Sequence, residues 1–248
     1  MRNKNKPLSE SQKELFLAIP GKSSFSFVEA FKSLRTNIKF ISSTSDMNTF
    51  VVTSSLPDEY KTTVVVNTAI SLAEEGANVV VVDCDFRKPS IHKYLKLGHR
   101  FKGVTNVLMG EVSLDDTLVR FEDLGINVMV AGTIPPNPAE LLASDKMRNL
   151  VETLSQSFDY VIIDTPPVVT VTDAAVLGQY ADGVLLVVKS EGPVKDAVVA
   201  AKTRLESVGC NIIGTVLTGV DYKKASKKQY YSYGYEYDYE YKDKQLEE

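Results

Sequence analysis

The sequence predicts an α/β protein built on a doubly wound, mostly parallel sheet. Three observations carry that expectation. Runs such as FVVTSS (50–55), VVVVD (79–83), VIID (161–164) and VLLVVK (184–189) are rich in Val, Ile and Leu and do not alternate with polar residues, as in strands covered on both faces. Segments with apolar residues at helical spacing lie between them. Several of the strand runs lead into a lysine, a threonine or an aspartate, at the carboxyl edge where open parallel sheets bind ligands.

The elements follow in order. Residues 1–24 are polar and mixed in charge and read as a flexible arm. FVEAFKSLRTNIKF (27–40) repeats Phe27, Phe31, Leu34 and Ile38 on one helical face. TFVVTSS (49–55) is a buried strand, SSLPDEYKTT (54–63) a loop, and TTVVVNTAISLAEEGA (62–77) a helix closed by Gly76. NVVVVDCD (78–85) is a second strand ending in Asp83 and Asp85. GVTNVLMGEVSLDDTL (103–118) reads as a helix and INVMVAG (126–132) as a strand. After PPNPAELL a capped helix is expected to run to about Ser157, and DYVIIDTPP, ADGVLLVVKS and NIIGTVLTGV supply the last three strands. The domain therefore spans 25–221. From Tyr222 onward the composition changes: eight of the twelve tyrosines and almost no aliphatic residues, so 222–248 is expected to be disordered in isolation.

Composition excludes several classes. A formal net charge of −4 on 248 residues gives no reason to expect nucleic acid. The two cysteines, Cys84 and Cys210, sit in apolar runs, which fits a reducing compartment and no disulfide framework. No apolar stretch approaches the roughly 20 residues of a membrane span, and MRNKNKPLSESQKE lacks an apolar signal core. The expected location is the cytoplasm, with any membrane role exerted through a partner.

Three strand ends carry chemistry. Lys61 and Thr62 stand at a helix start, where free N–H groups and the helix dipole favour an anion. Asp83 and Asp85 are two residues apart and so point to one side of an extended chain. Asp164 precedes Thr165-Pro166-Pro167. A lysine–threonine pair or a strand-end aspartate is commonplace alone. All of them together, in this order on one sheet edge, form the inventory for magnesium and a polyphosphate.

VVVDCDFRKP, AGTIPPNPAELL and VIIDTPP, followed by the tyrosine tail, resemble the bacterial tyrosine kinases of capsule and exopolysaccharide synthesis, in the form of a separate cytoplasmic subunit. The resemblance runs from about Phe25 to the end. It implies a P-loop fold related to the deviant Walker ATPases that position septa and plasmids, with ATP and Mg2+ as cofactors. It implies autophosphorylation in trans of Tyr230, Tyr231, Tyr233, Tyr235, Tyr237, Tyr239 and Tyr241. It further implies a ring-like homo-oligomer, a transmembrane activator that brings the chain to the inner face of the plasma membrane, and a cognate tyrosine phosphatase. Carried over by position, Ser55, Pro57, Asp58, Glu59, Tyr60, Lys61, Thr62 and Thr63 form the phosphate loop and Thr218 lies close to the base. Lys61 neutralises phosphate, while Thr62, Asp85 and Asp164 serve the metal. Asp83 takes the proton of the incoming tyrosine, with Lys61 and Asp85 beside it in catalysis. Glu29, Lys32 and Arg35 fall on the family's oligomerisation spacing, with Lys32 where arginine is usual.

The loop departs from that family. Its usual P-G-E-G-K run is P-D-E-Y-K here, with Asp58 and Tyr60 at the glycine positions, and Thr218 replaces an asparagine. A carboxylate about 5 Å from a phosphate charge, at an effective dielectric near 20, repels it by roughly 3 kcal/mol. A bulky side chain held left-handed costs about 1–2 kcal/mol, and the ring must find room beside Lys61. Together these put the expected loss on the order of 4 kcal/mol, roughly a thousandfold in affinity, with Tyr60 the larger obstacle. Two functions follow: an ATP-dependent tyrosine autokinase regulating polysaccharide export, or a nucleotide-impaired scaffold of the same system. Septum- or plasmid-positioning ATPases carry an additional early lysine in this loop, and none stands from position 55 to Lys61.

Overall fold

The computed structural model describes residues 17–19, 23–97, 101–190 and 195–220. A seven-stranded sheet forms its centre: β1 (Thr49–Ser54), β2 (Val79–Asp83), β3 (Leu118–Phe121), β4 (Ile126–Met129), β5 (Tyr160–Asp164), β6 (Gly183–Lys189) and β7 (Ile212–Thr218). The strand order is β3-β4-β2-β5-β1-β6-β7. All pairings are parallel except β3 with β4.

The apolar strands are explained by cover on both sides. Val51, Val80, Val82, Val161, Ile163, Val184 and Leu186 enter one core with Met147, Leu154, Leu177 and Leu205. Phe50, Val52, Val79, Val81, Ile162, Leu185 and Val187 enter the other with Ile38, Val65, Ala69 and Leu72. Alternate side chains of one strand thus leave opposite faces, and neither face meets water. The first face is covered by α5 (Pro138–Leu142), α6 (Asp145–Ser157), α7 (Asp173–Gly178) and α8 (Lys195–Ser207); the second by α1 (Phe25–Ser45), α2 (Lys61–Ala73) and α3 (Ile91–Tyr94).

The structure corrects two expectations and bears out a third. Within 103–118 only α4 (Val104–Leu108) is helical, turns follow it, and Leu118 already begins the antiparallel edge strand β3. Its alternating Leu118-Val119-Arg120-Phe121 is half-buried and buried by turns, a period the helical reading overlooked. The capped helix expected after PPNPAELL is α6, which ends at Ser157 and is capped by the Ser144 side chain, which accepts from the Met147 N–H at 3.2 Å, while PAELL itself forms the short α5. The arm is not free throughout: Leu17 and Ala18 are buried, Leu17 in the core with Ile38 and Leu72, and the Ala18 N–H donates to Asn67 Oδ1. Most of that arm (1–16 and 20–22) and the tail from 221, with all seven tyrosines expected to be acceptors, lie outside the described residues. Both cysteines are free and buried. Among the described residues no helix is long and apolar enough to cross a membrane.

Candidate active site

The site follows from strand order. β2, β5 and β1 are adjacent, so their carboxyl ends meet, and Asp83 lies directly across from Asp164 in register. Lys61 and Thr62 open α2 after β1, and both reach Asp164. Lys61 Nζ pairs with Asp164 Oδ1, and Thr62 Oγ1 donates to Oδ2 at 2.7 Å. Lys61 and Asp164 are both buried, so the lysine charge balances one carboxylate in a place water scarcely reaches. The three strand-end signals of the sequence are therefore one cluster.

Asp83 is fully enclosed. Its Oδ2 accepts from the N–H groups of Ser90 (3.2 Å) and Ile91 (3.1 Å), and its Oδ1 accepts from the Asp85 N–H (3.2 Å). Burial, and then the neighbouring Asp164, push its carboxyl up to about 8, against the pull of the Ile91 N–H and of Lys61. Asp85 lies nearer the surface and accepts from the Lys88 N–H at 2.9 Å; burial raises it too, opposed by that bond and by Lys61. The two acids of the D-x-D pair thus differ in degree: Asp83 is sealed under the backbone of 90–91, and Asp85, also buried, keeps a 7% exposed edge.

The loop holds the conformation that glycines would take. Asp58 and Tyr60 both have φ of 62°, in the left-handed region. It is braced from inside by Glu59, whose buried carboxylate accepts from Ser55 Oγ (2.8 Å) and the Leu56 N–H (2.9 Å). Ser55 and Glu59 side chains therefore shape the loop and do not point outward; Pro57 and Asp58 are exposed. Thr218 Oγ1 donates to the Glu59 carbonyl at 3.0 Å and ties the loop to the end of β7.

The ring of Tyr60 does not crowd Lys61. It is 52% exposed and lies under Lys189 Nζ, 5.2 Å from the ring centroid, close to Gly219. That is the β6–β7 side of β1, whereas Lys61 reaches toward β5. The cation over the ring returns about 0.5–1 kcal/mol of the left-handed strain. Tyr60, Thr63 and Thr218 also border a cleft of about 590 Å3 whose apolar wall is Phe27, Phe31 and Leu34. A larger cavity, about 1090 Å3, lies at the amino ends of the strands around Asn48, Asp159 and Asp182, far from these carboxylates, and has no part in this chemistry.

The oligomerisation spacing has a local use. Arg35 donates to the Ser71 carbonyl (2.8 Å) and pairs with Glu75 (2.9 Å), which fastens α1 to the end of α2, and its side chain is 12% exposed. Glu29 and Lys32 pair with each other at 2.7 Å and remain partly exposed.

Two participants, Ser90 and Lys189, were not singled out from the sequence, and Arg87 stood only within the quoted family motif, without a role of its own. Ser90 contacts Thr62 Oγ1 at 2.7 Å and caps Asp83 through its N–H. Arg87 holds the buried Asp173 in a two-pronged pair of 2.9 and 3.1 Å, which anchors the segment after β2 to α7. Lys189 supports Tyr60. Arg87 lies in the quoted FRKP run; a serine, an aspartate and a strand-end lysine this far apart in sequence carry no signal of their own.

A doubly wound sheet with a left-handed loop opening a helix, a lysine–threonine pair on that helix and carboxylates on the two neighbouring strand ends defines a P-loop NTPase of the deviant Walker type. A family profile described as an AAA domain matches residues 60–199. Tyrosine-protein kinase YwqD of Bacillus subtilis is 37% identical over 205 residues, 83% of this chain and 85% of YwqD. A Klebsiella pneumoniae relative named for its cps region is 34% identical over 201 residues, 81% of this chain and 28% of that longer protein. The kinase domain of the Escherichia coli tyrosine kinase ETK superposes with a TM-score of 0.80 at 34% identity, covering 95% of this chain and 87% of that domain. The chain belongs to the bacterial tyrosine-kinase family, an enzyme family of the protein-tyrosine kinase class.

Proposed function

We propose that this chain is an ATP-dependent tyrosine autokinase of a capsule or exopolysaccharide export system, phosphorylating the tail tyrosines of a neighbouring copy. The observation that supports it best is the cluster of Lys61, Thr62, Asp83, Asp85 and Asp164 on one sheet edge beside a loop that keeps its cradle shape. The donor set suits magnesium: Thr62 Oγ1, Asp85 and Asp164 offer hard oxygen ligands on one side. The described residues contain no ready group of three His, Cys, Asp or Glu side chains around a metal position. Magnesium needs none, because it binds through one or two carboxylates together with phosphate oxygens and water. When bound, the ion would neutralise charge on the phosphates during transfer.

The chain's own groups do the rest. The first N–H groups of α2 have no partner within the helix and point at the phosphates. Lys61 exchanges Asp164 for phosphate oxygen. The γ-phosphorus forms a bond to the tyrosine oxygen and breaks its bond to the bridging oxygen of ADP, while the phenolic proton passes to Asp83. A base that titrates near neutrality is matched to that task, and the amides of Ser90 and Ile91 fix its orientation. The same reading includes assembly into a ring, in which Glu29 and Lys32 remain accessible, and recruitment to the membrane by a transmembrane partner.

The altered loop favours a second reading. With Asp58 and Tyr60 at both glycine positions and Lys61 closed onto Asp164, the chain is a nucleotide-impaired scaffold of the same system. Incubating the purified protein with ATP and magnesium, with and without the activator's cytoplasmic segment, decides between them. Phosphotyrosine on the tail supports the kinase. Its absence under both conditions, with no ATP binding, supports the scaffold.

A further inference from the structure

The side chain of Tyr60 is unexplained by folding and unused by the phosphate chemistry. Its backbone is left-handed, at φ of 62°, and its ring is 52% exposed. A tyrosine so placed carries strain and buries little apolar surface in return. Yet the ring is held: Lys189 Nζ lies 5.2 Å from its centroid, and the ring borders the cleft of about 590 Å3 on the β6–β7 side of β1. The cleft beyond it is apolar, with Phe27, Phe31 and Leu34 on the α1 side and Val216 and Val220 along the end of β7.

Strand order indicates what meets that ring. In the reading above, the transferred phosphoryl group faces Asp83 and Asp164 at the ends of β2 and β5, and the phosphate chain rests on the first N–H groups of α2, which follows β1. β1 lies between β5 and β6. A nucleotide laid across those two points directs its other end, ribose and base, away from β5 and toward β6 and β7, where Tyr60 and Thr63 border the cleft. The hydroxyl protons on that side are already engaged: Thr218 Oγ1 donates to the Glu59 carbonyl and Ser190 Oγ to the Gly219 carbonyl, both at 3.0 Å. An apolar slot with an aromatic wall recognises a flat ring by its face.

We propose that Tyr60 is the platform on which the base of the bound nucleotide stacks, and that it favours purine over pyrimidine nucleotides because a purine covers more of the phenol ring. The inference rests on the nucleotide binding proposed above. It gives position 60 a use that a glycine there cannot supply, since glycine has no ring to offer. Lys189 sets the direction of the ring from one face and leaves the cleft side for the base.

The full-length protein is irradiated with 8-azido-ADP and magnesium, and the adduct is located by mass spectrometry; the expected adduct is on Tyr60. Calorimetric titration then compares the parent with Tyr60→Phe and Tyr60→Asn, asparagine being a residue that accepts left-handed backbone. Tyr60→Asn should bind ADP–magnesium about two- to threefold more weakly, at the low end for a base on an aromatic ring because Tyr60 is half exposed. Its preference for ADP over CDP should shrink by a similar factor. Tyr60→Phe should match the parent, and pyrophosphate–magnesium, which has no base, should bind all three proteins alike. An adduct confined to other residues, an unchanged ratio of ADP to CDP affinity, or an equal loss with pyrophosphate overturns the proposal. An adduct on Tyr60 in a protein that transfers no phosphate keeps the platform and removes the kinase reading. Phosphate transfer by a protein labelled only elsewhere keeps the kinase reading and removes the platform, and a protein that takes no label removes the platform and favours the scaffold.

Discussion

Restoring the loop glycines tests how the site tolerates Asp58 and Tyr60, and the structure changes which residue matters more. From sequence, Tyr60 is the larger obstacle, since a left-handed tyrosine is strained and its ring needs space. In the fold, the loop holds φ of 62° at both positions, and the ring leans toward Lys189, so the loop keeps the shape that cradles a phosphate. Strain present before and after binding cancels in the affinity. Tyr60→Gly removes about 1–2 kcal/mol of left-handed strain. It also loses about 0.5–1 kcal/mol from Lys189 and adds about 0.5–1 kcal/mol of backbone entropy cost, so folding stability should change by less than about 1 kcal/mol. Asp58 acts on the ligand. The repulsion of roughly 3 kcal/mol at 5 Å shrinks to about 1–2 kcal/mol because Asp58 is exposed and screened, which is about five- to thirtyfold in affinity. Calorimetric titration with ATP–magnesium of the parent, Asp58→Gly, Tyr60→Gly and the double variant should show Asp58→Gly about tenfold tighter, Tyr60→Gly within about threefold of the parent, and the double close to Asp58→Gly. A tenfold gain from Tyr60→Gly alone, with none from Asp58→Gly, would refute the preformed-cradle reasoning and make the side chain at 60 a direct obstruction. No binding by any of the four favours the scaffold.

Four further outcomes follow. Asp83→Asn should abolish most tail phosphorylation while the melting temperature moves by only a few degrees, and Asp85→Asn should instead raise the magnesium requirement; undiminished phosphorylation in Asp83→Asn moves the base elsewhere. Because Asp83 titrates near 8 in the fold, above its ordinary 3.8, the folded state holds its proton more tightly, and this contribution to stability is complete below about 4 and lost as pH rises through about 8. The melting temperature of the nucleotide-free protein should therefore fall between pH 6 and 9 more steeply than that of Asp83→Asn, and parallel curves would mean that Asp83 is already ionised. Arg87→Met should destabilise by about 2–3 kcal/mol in chemical denaturation, less than a fully buried pair because Arg87 is 40% exposed, since Asp173 is left buried without its cation. Mass spectrometry after reaction with ATP should find phosphate on several of Tyr230, Tyr231, Tyr233, Tyr235, Tyr237, Tyr239 and Tyr241; phosphate confined to Tyr94, Tyr160 or Tyr180 would sink the tail assignment.

The sequence determined the sheet and the chemical inventory. Unbroken Val and Ile runs require cover on both faces, so they specify buried parallel strands wherever they occur, and residue types placed at strand ends are fixed by chain position. Lys61, Thr62, Asp83, Asp85 and Asp164 were legible for that reason. The edge strand Leu118–Phe121 was not, because four residues of weak alternation beside a helix-like run are set by pairing with β4 and not by local pattern. Only the tertiary structure decided the rest, since strand order is a long-range property. It set Asp164 between the loop and Asp83, gave Lys61 and Thr62 a common partner, closed Asp83 under residues 90–91, turned Arg35 inward onto α2, and let a lysine 129 positions away, Lys189, hold Tyr60 clear of Lys61. Each of these depends on which side chains share a low-dielectric neighbourhood, and proximity of that kind follows from how the whole chain packs.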